Sequence, residues 1–195
     1  MTSFEDELGR QLAARTSADA RFVQAHETQR RTGEKAADEL ERGLRELASY
    51  LATKVDATTH VIKPKRNWRT PAVVSPPGFP LQVSYSVADL PKITSLTMLT
   101  LLIPDGRIWR YYGLGHPKTM EYVNLREALT EPNFRVSVAD TTFHLDHGEL
   151  VAQRYAGEAI GDRQLPISKA LAEWAVNILH HHIACGDPVP EVHSL

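Results

Sequence analysis

The stretch from Ile93 to Leu114, ITSLTMLTLLIPDGRIWRYYGL, constrains this chain more than any other. It reads as two strands joined at Pro104-Asp105-Gly106. Successive side chains of a strand point to opposite faces. Leu99, Leu101 and Ile103 therefore share one side of the first strand, and Leu96, Met98 and Leu102 the other. Alternation of apolar and polar residues would mark a half-buried strand, whereas an apolar run on both faces marks a central one.

Around this hairpin the same period-two reasoning finds further strands. Leu81, Val83, Tyr85 and Val87 alternate with Gln82, Ser84 and Ser86, which describes a one-faced strand. After the turn, Ile108, Arg110 and Tyr112 alternate with Arg107, Trp109 and Tyr111. Thr58–Ile62, Met120–Val123, Phe134–Val138, Thr142–Leu145 and Glu149–Tyr155 are strand-like, with Asp146-His147-Gly148 as a three-residue turn between the last two. Leu125–Leu129 reads as one helical turn stopped before Pro132, and Gly157–Pro166 as a loop. Hairpin spacing dominates and crossover helices are missing. The expected fold is α+β, a mostly antiparallel sheet of about six strands between a long N-terminal helical segment and a C-terminal amphipathic helix.

Residues 3–53 contain no proline. Ser3 and Asp6 resemble a capping box ahead of Phe4, Leu8 and Leu12. The apolar stripe lapses at Arg15 and Asp19, returns weakly at Phe22, Val23 and His26, and meets Gly33. Ala36, Ala37, Leu40, Leu44, Leu47 and Leu51 then restore it with the alternating spacing of four and three that suits a coiled-coil seam. This pattern predicts two helices, or one long helix weakened between Thr16 and Gly33. It sets a boundary there, with residues 1–33 as a helical arm and 34–195 as the α+β domain. At the other end, Ile167, Leu171, Trp174, Ala175, Ile178, Leu179 and His182 form one broad helical face, and Gly186 and Pro188 close the helix.

Composition narrows the function classes. A formal charge of -2 gives no global attraction to nucleic acid or anionic membrane. No apolar run reaches the length of a membrane span, and the acidic Glu5, Asp6 and Glu7 stand where a signal peptide would be basic. Cys185 is the single cysteine, so no intramolecular disulfide forms, and a cytoplasmic setting is expected.

Several constellations are candidate sites. His144, Asp146 and His147 lie close in sequence, as do His180, His181 and His182 near Cys185. Adjacent helical residues sit about 100° apart and cannot all face one ion, and neither spacing matches a ligand motif, so no metal or cofactor is expected. Cys185 follows a helix, where the dipole disfavours a thiolate. Asp140, Asp146 and Glu149 suit turns and strand ends as well as paired carboxylate chemistry. The chain lacks G-x-S-x-G and G-x-x-x-x-G-K-[ST], and catalytic residues are assigned to none of these positions.

Three readings follow. The leading one is a non-enzymatic module for protein–protein interaction or homo-oligomerisation, with Phe4, Leu8, Leu12, Phe22, Leu40, Leu44, Leu47 and Leu51 as its contacts. The second is nucleic-acid binding through Lys63, Lys65, Arg66, Trp68 and Arg69, four cations and a tryptophan within a proline-rich stretch, with Arg107 to Tyr112 as a second basic-aromatic segment. The third is a small metal-dependent hydrolase using His144, Asp146, His147 or the terminal histidines.

Overall fold

The computed structural model describes residues 4–64, 73–87, 94–112, 119–131, 135–154, 163–184 and 192–194. Its first element is a single helix, α1 (Phe4–Ala52), of 49 residues. The helix runs without a break through Gly33, so the choice between two helices and one is decided in favour of one. Acidic Glu5, Asp6 and Glu7 occupy the first turn, where negative charge suits the helix dipole. Backbone bonds from Lys54 and Val55 to the Leu51 carbonyl close its C-terminal end.

Among the described residues, eleven strands form two sheets, in place of the single sheet of about six expected from the sequence. The larger sheet has seven strands: β1 (Val61–Pro64), β2 (Val73–Val74), β3 (Phe79–Val87), β4 (Thr94–Leu102), β5 (Ile108–Tyr112), β6 (Thr119–Tyr122) and β11 (Val192–Ser194). β3, β4, β5 and β6 are successive antiparallel neighbours. β4 is central as expected, since it pairs with β3 and β5 and also meets β11 at Leu96. β11 runs parallel to both β1 and β4, a long-range pairing with no hairpin signal in the sequence.

The smaller sheet is a four-stranded antiparallel meander of β7 (Arg135–Val138), β8 (Thr141–Asp146), β9 (Glu149–Arg154) and β10 (Arg163–Leu165). β10 occupies part of the stretch expected to be loop. Asp146 pairs with Glu149, so the β8–β9 connection is the two-residue turn His147-Gly148 rather than three residues. Both have positive φ, 48° and 86°, as the tight turn that matches strand twist requires.

Two helices complete the chain. Helix α2 (Leu125–Thr130) is capped by Asn124, whose side chain accepts from the Glu127 backbone N–H while its own amide donates to the Glu127 carboxylate. Helix α3 (Ile167–Ala184) begins after Pro166, whose carbonyl accepts from Lys169 and Ala170.

Both faces of β4 are covered. The main core packs Ala37, Leu40, Leu44, Leu47 and Leu51 of α1 against α2, α3, Phe79, Leu102, Ile108 and the inner residues of the smaller sheet. On the opposite face Leu99, Leu101 and Ile103 join Ile62, Trp109 and Tyr111. Register explains the partition, because Leu99 stands beside Tyr111 and Leu101 beside Trp109, whereas Leu102 stands beside Ile108. On α3 the expected face is buried at Ile167, Leu171, Trp174, Ala175 and Ile178. Trp174 meets Phe143 edge to face at 5.6 Å, and its indole N–H donates to the Thr141 hydroxyl at 3.2 Å. Beside it Arg154 donates to Asp140 and Glu173, joining the smaller sheet to α3.

Candidate interaction surface

Burial divides α1 sharply. Every residue from Phe4 to His26 is exposed, and Gly33 is the first buried position along the helix. The large apolar side chains of that first part are therefore open, with Phe4 at 81% and Phe22 at 73% exposure, and Leu8, Leu12 and Val23 also exposed. A helix rises about 1.5 Å per residue, so this free stretch of 23 residues is on the order of 35 Å long.

Charge pairs hold this part of the helix together in place of a core. Arg10 and Gln11 donate to Glu7, and Arg30 and Arg31 both donate to Glu27. Arg30 reaches Glu34 as well. Hydrogen bonds from Arg30 and then Arg31 hold the Glu27 carboxyl at about 2, well below its ordinary 4.5. Such pairs one helical turn apart stabilise a helix modestly, and several in sequence keep a solvated segment helical.

Gly33 marks the point where the helix reaches the domain, and its role differs from the interruption suggested by sequence. A Cβ at this position would lie 2.2 Å from the Leu129 carbonyl oxygen and 2.8 Å from the Thr130 Cα. The missing side chain lets α1 pass directly over the backbone of α2. Nearby, Arg126 of α2 bridges to Asp38 and Glu41 of α1, which fastens the two helices on their outer side.

The eight residues expected to be interaction contacts fall into two groups. Phe4, Leu8, Leu12 and Phe22 are on the exposed stretch. Leu40, Leu44, Leu47 and Leu51 are 0–7% exposed within the core of their own domain, so that seam packs against its own chain. A second feature is an open apolar groove between α1 and α3, bordered by Gly43, Leu47 and Tyr50 on one side and Leu171, Ala175 and Leu179 on the other.

The remaining candidate sites are dispersed. Lys65, Arg66, Trp68 and Arg69 lie outside the described residues, and Lys63 is on β1. The second basic-aromatic segment is occupied within the chain. Trp109 and Tyr111 are buried, Arg107 pairs with Asp105 and lies over the Tyr122 ring, and Arg110 pairs with Glu121 at 2.6 Å. Arg110 also donates to the Ser137 carbonyl, so it is a contact between the sheets. Of the grouped histidines, His144 is buried and His147 exposed at the turn, so the two diverge. Among the described residues no three His, Cys, Asp or Glu side chains come together as metal ligands. His180 is exposed, whereas Cys185 lies outside the described residues. Asp140 is engaged with Arg154, and Asp146 and Glu149 sit opposite one another at the hairpin end.

No family model, curated protein or solved structure matches this chain. Function is therefore argued from its own geometry. Among the described residues no helix is long and apolar enough to cross a membrane, so the exposed apolar row of α1 is not a membrane span.

Proposed function

We propose that this protein is a non-enzymatic protein-interaction module that associates through its N-terminal helical arm. The arm comprises residues 1–33, the domain that carries it residues 34–195, and the anchors are Phe4, Leu8, Leu12 and Phe22. One observation carries the reading: an unbroken helix leaves its own domain and keeps a row of large apolar side chains in water for its first 23 described residues. Fully burying a Leu or Phe side chain is worth about 1.5–3 kcal/mol, so four exposed anchors leave a substantial driving force for association. The buried leucines of the second half play a different part, fixing the base of the arm in the core. A cytoplasmic setting accords with this reading, given the single cysteine.

Light scattering on the full chain, compared with Leu12→Ser and Phe22→Ser in combination, tests the proposal. Both positions are exposed, so the domain should keep its unfolding midpoint. The expected result is an assembly in the parent protein that dissociates in the variant. A parent protein that is monomeric and binds no protein partner, or an assembly indifferent to the two substitutions, would overturn it.

A further inference from the structure

The partner of the arm can be narrowed by asking what its own pattern complements. Continuing the core seam backwards in steps of three and four, with two successive steps of four from Ala37 to Gly33 and from Gly33 to Gln29, passes through His26, Phe22, Asp19, Arg15, Leu12 and Leu8. A stripe with this average repeat winds slowly around the helix, as the contact line of two supercoiled helices does. Arg15 and Asp19 occupy the middle of the stripe, and among the described residues neither belongs to an ion pair. A charge in the middle of an apolar contact line is costly unless an opposite charge meets it.

We propose that the arm pairs with the same arm of a second copy, antiparallel and with its two-fold axis level with residue 17; this rests on the arm-association reading above. In that register Arg15 faces Asp19 of the second copy and the reverse, Leu12 faces Phe22, and Leu8 faces His26. An isologous contact requires such reciprocity, with residue i meeting j and j meeting i. A parallel pairing would instead set Arg15 against Arg15 and Asp19 against Asp19.

In this register Phe4 of one helix is level with Arg30 of the other. That point lies just before Gly33, where the helix meets its own domain. The whole exposed stretch is covered, and pairing stops short of α2.

The test uses the full chain with Arg15→Asp, Asp19→Arg, their equimolar mixture and the parent protein, followed by light scattering over a dilution series. Each single variant places like charges opposite each other twice per dimer and should weaken self-association by about tenfold or more, since close interfacial charges couple strongly. The mixture should restore it, because one arm then carries acids at both positions and the arm facing it carries bases at both. Circular dichroism verifies that the arm stays helical. Single variants that associate as well as the parent protein, or a mixture that fails to recover, overturn the antiparallel register. If Leu12→Ser with Phe22→Ser still abolishes assembly in that case, the arm reading stands alone. A monomeric parent protein overturns the pairing of two copies; one that also binds no protein partner, or an assembly unaffected by that pair of substitutions, overturns both.

Discussion

Gly33 and Gly9 show how one residue type in one helix serves two physical ends. At Gly33 the obstacle to a methyl group is backbone, the carbonyl of Leu129 and the Cα of Thr130, and backbone cannot rotate out of the way as a side chain can. At Gly9 nothing lies within 4 Å of the position a Cβ would take. Alanine is favoured over glycine in a helix by about 1 kcal/mol, so propensity alone predicts a gain at both positions. Overpacking costs roughly 1–3 kcal/mol, and more where backbone must shift. Gly33→Ala should therefore destabilise the domain by about 2 kcal/mol in urea unfolding despite the better propensity, a net of these opposing effects. Gly9→Ala should leave that midpoint unchanged and raise helical ellipticity. From the sequence, Gly33 reads as a weak point in a helix, because a close approach to another element has no local signature.

At the scale of elements, the docking of α3 depends on one aromatic and one arginine. Trp174 fills the space beside Phe143 and donates to Thr141, while Arg154 links Asp140 of the β7–β8 turn to Glu173 of the helix. Trp174→Ala is expected to cost about 3–5 kcal/mol, the range for removing a buried tryptophan. Trp174→Phe, which keeps a ring but loses the N–H donor, should cost less than half as much by the same measurement. The apolar face of α3 is legible in the sequence, as is the strand–turn–strand around Pro104-Asp105-Gly106, because both patterns repeat within a few residues. The partition of the strands into two sheets is not. Pairing of β11 with β1 and β4 joins residues far apart in the chain, and strands as short as β2 and β10 carry too few side chains to show a period. The seam of Leu40, Leu44, Leu47 and Leu51 announces a buried helical stripe, yet its spacing suggested a second helix of another subunit where the structure supplies the chain's own core. Spacing reports that something covers a face and is silent on whether it belongs to the same chain.

At the scale of the whole molecule, the described residues include a basic group, His60, placed where its charged form is disfavoured. His60 is 5% exposed, its backbone N–H donates to the Ser75 hydroxyl, and its Nε2 has no hydrogen-bond partner among the described residues. Burial lowers its pKa below the ordinary 6.5. As pH falls through 6.5 the unfolded chain takes up a proton that the folded chain resists, so the unfolded state binds more protons and stability declines. The contribution is fully present above that pH and is lost progressively below it, towards the lowered folded value. The melting temperature should therefore drop between pH 7 and pH 5 on the order of what one buried histidine supplies, and His60→Gln should flatten that slope whatever it does to the absolute value. An unchanged slope in the variant would assign the dependence to other groups. The exposed arm should contribute little to this profile, since the acid pulled down most strongly there, Glu27, titrates near 2.

The unbroken passage of α1 from open water into the core has a mechanical consequence. A helix joined to a domain through a loop swivels, and force applied at its tip is lost in the joint. Here the shaft and its anchorage are one rod, seated by four leucines and held close against α2 by the absent side chain of Gly33. Whatever grips the tip takes a fixed bearing on both sheets, and a load applied there arrives at the core as torque.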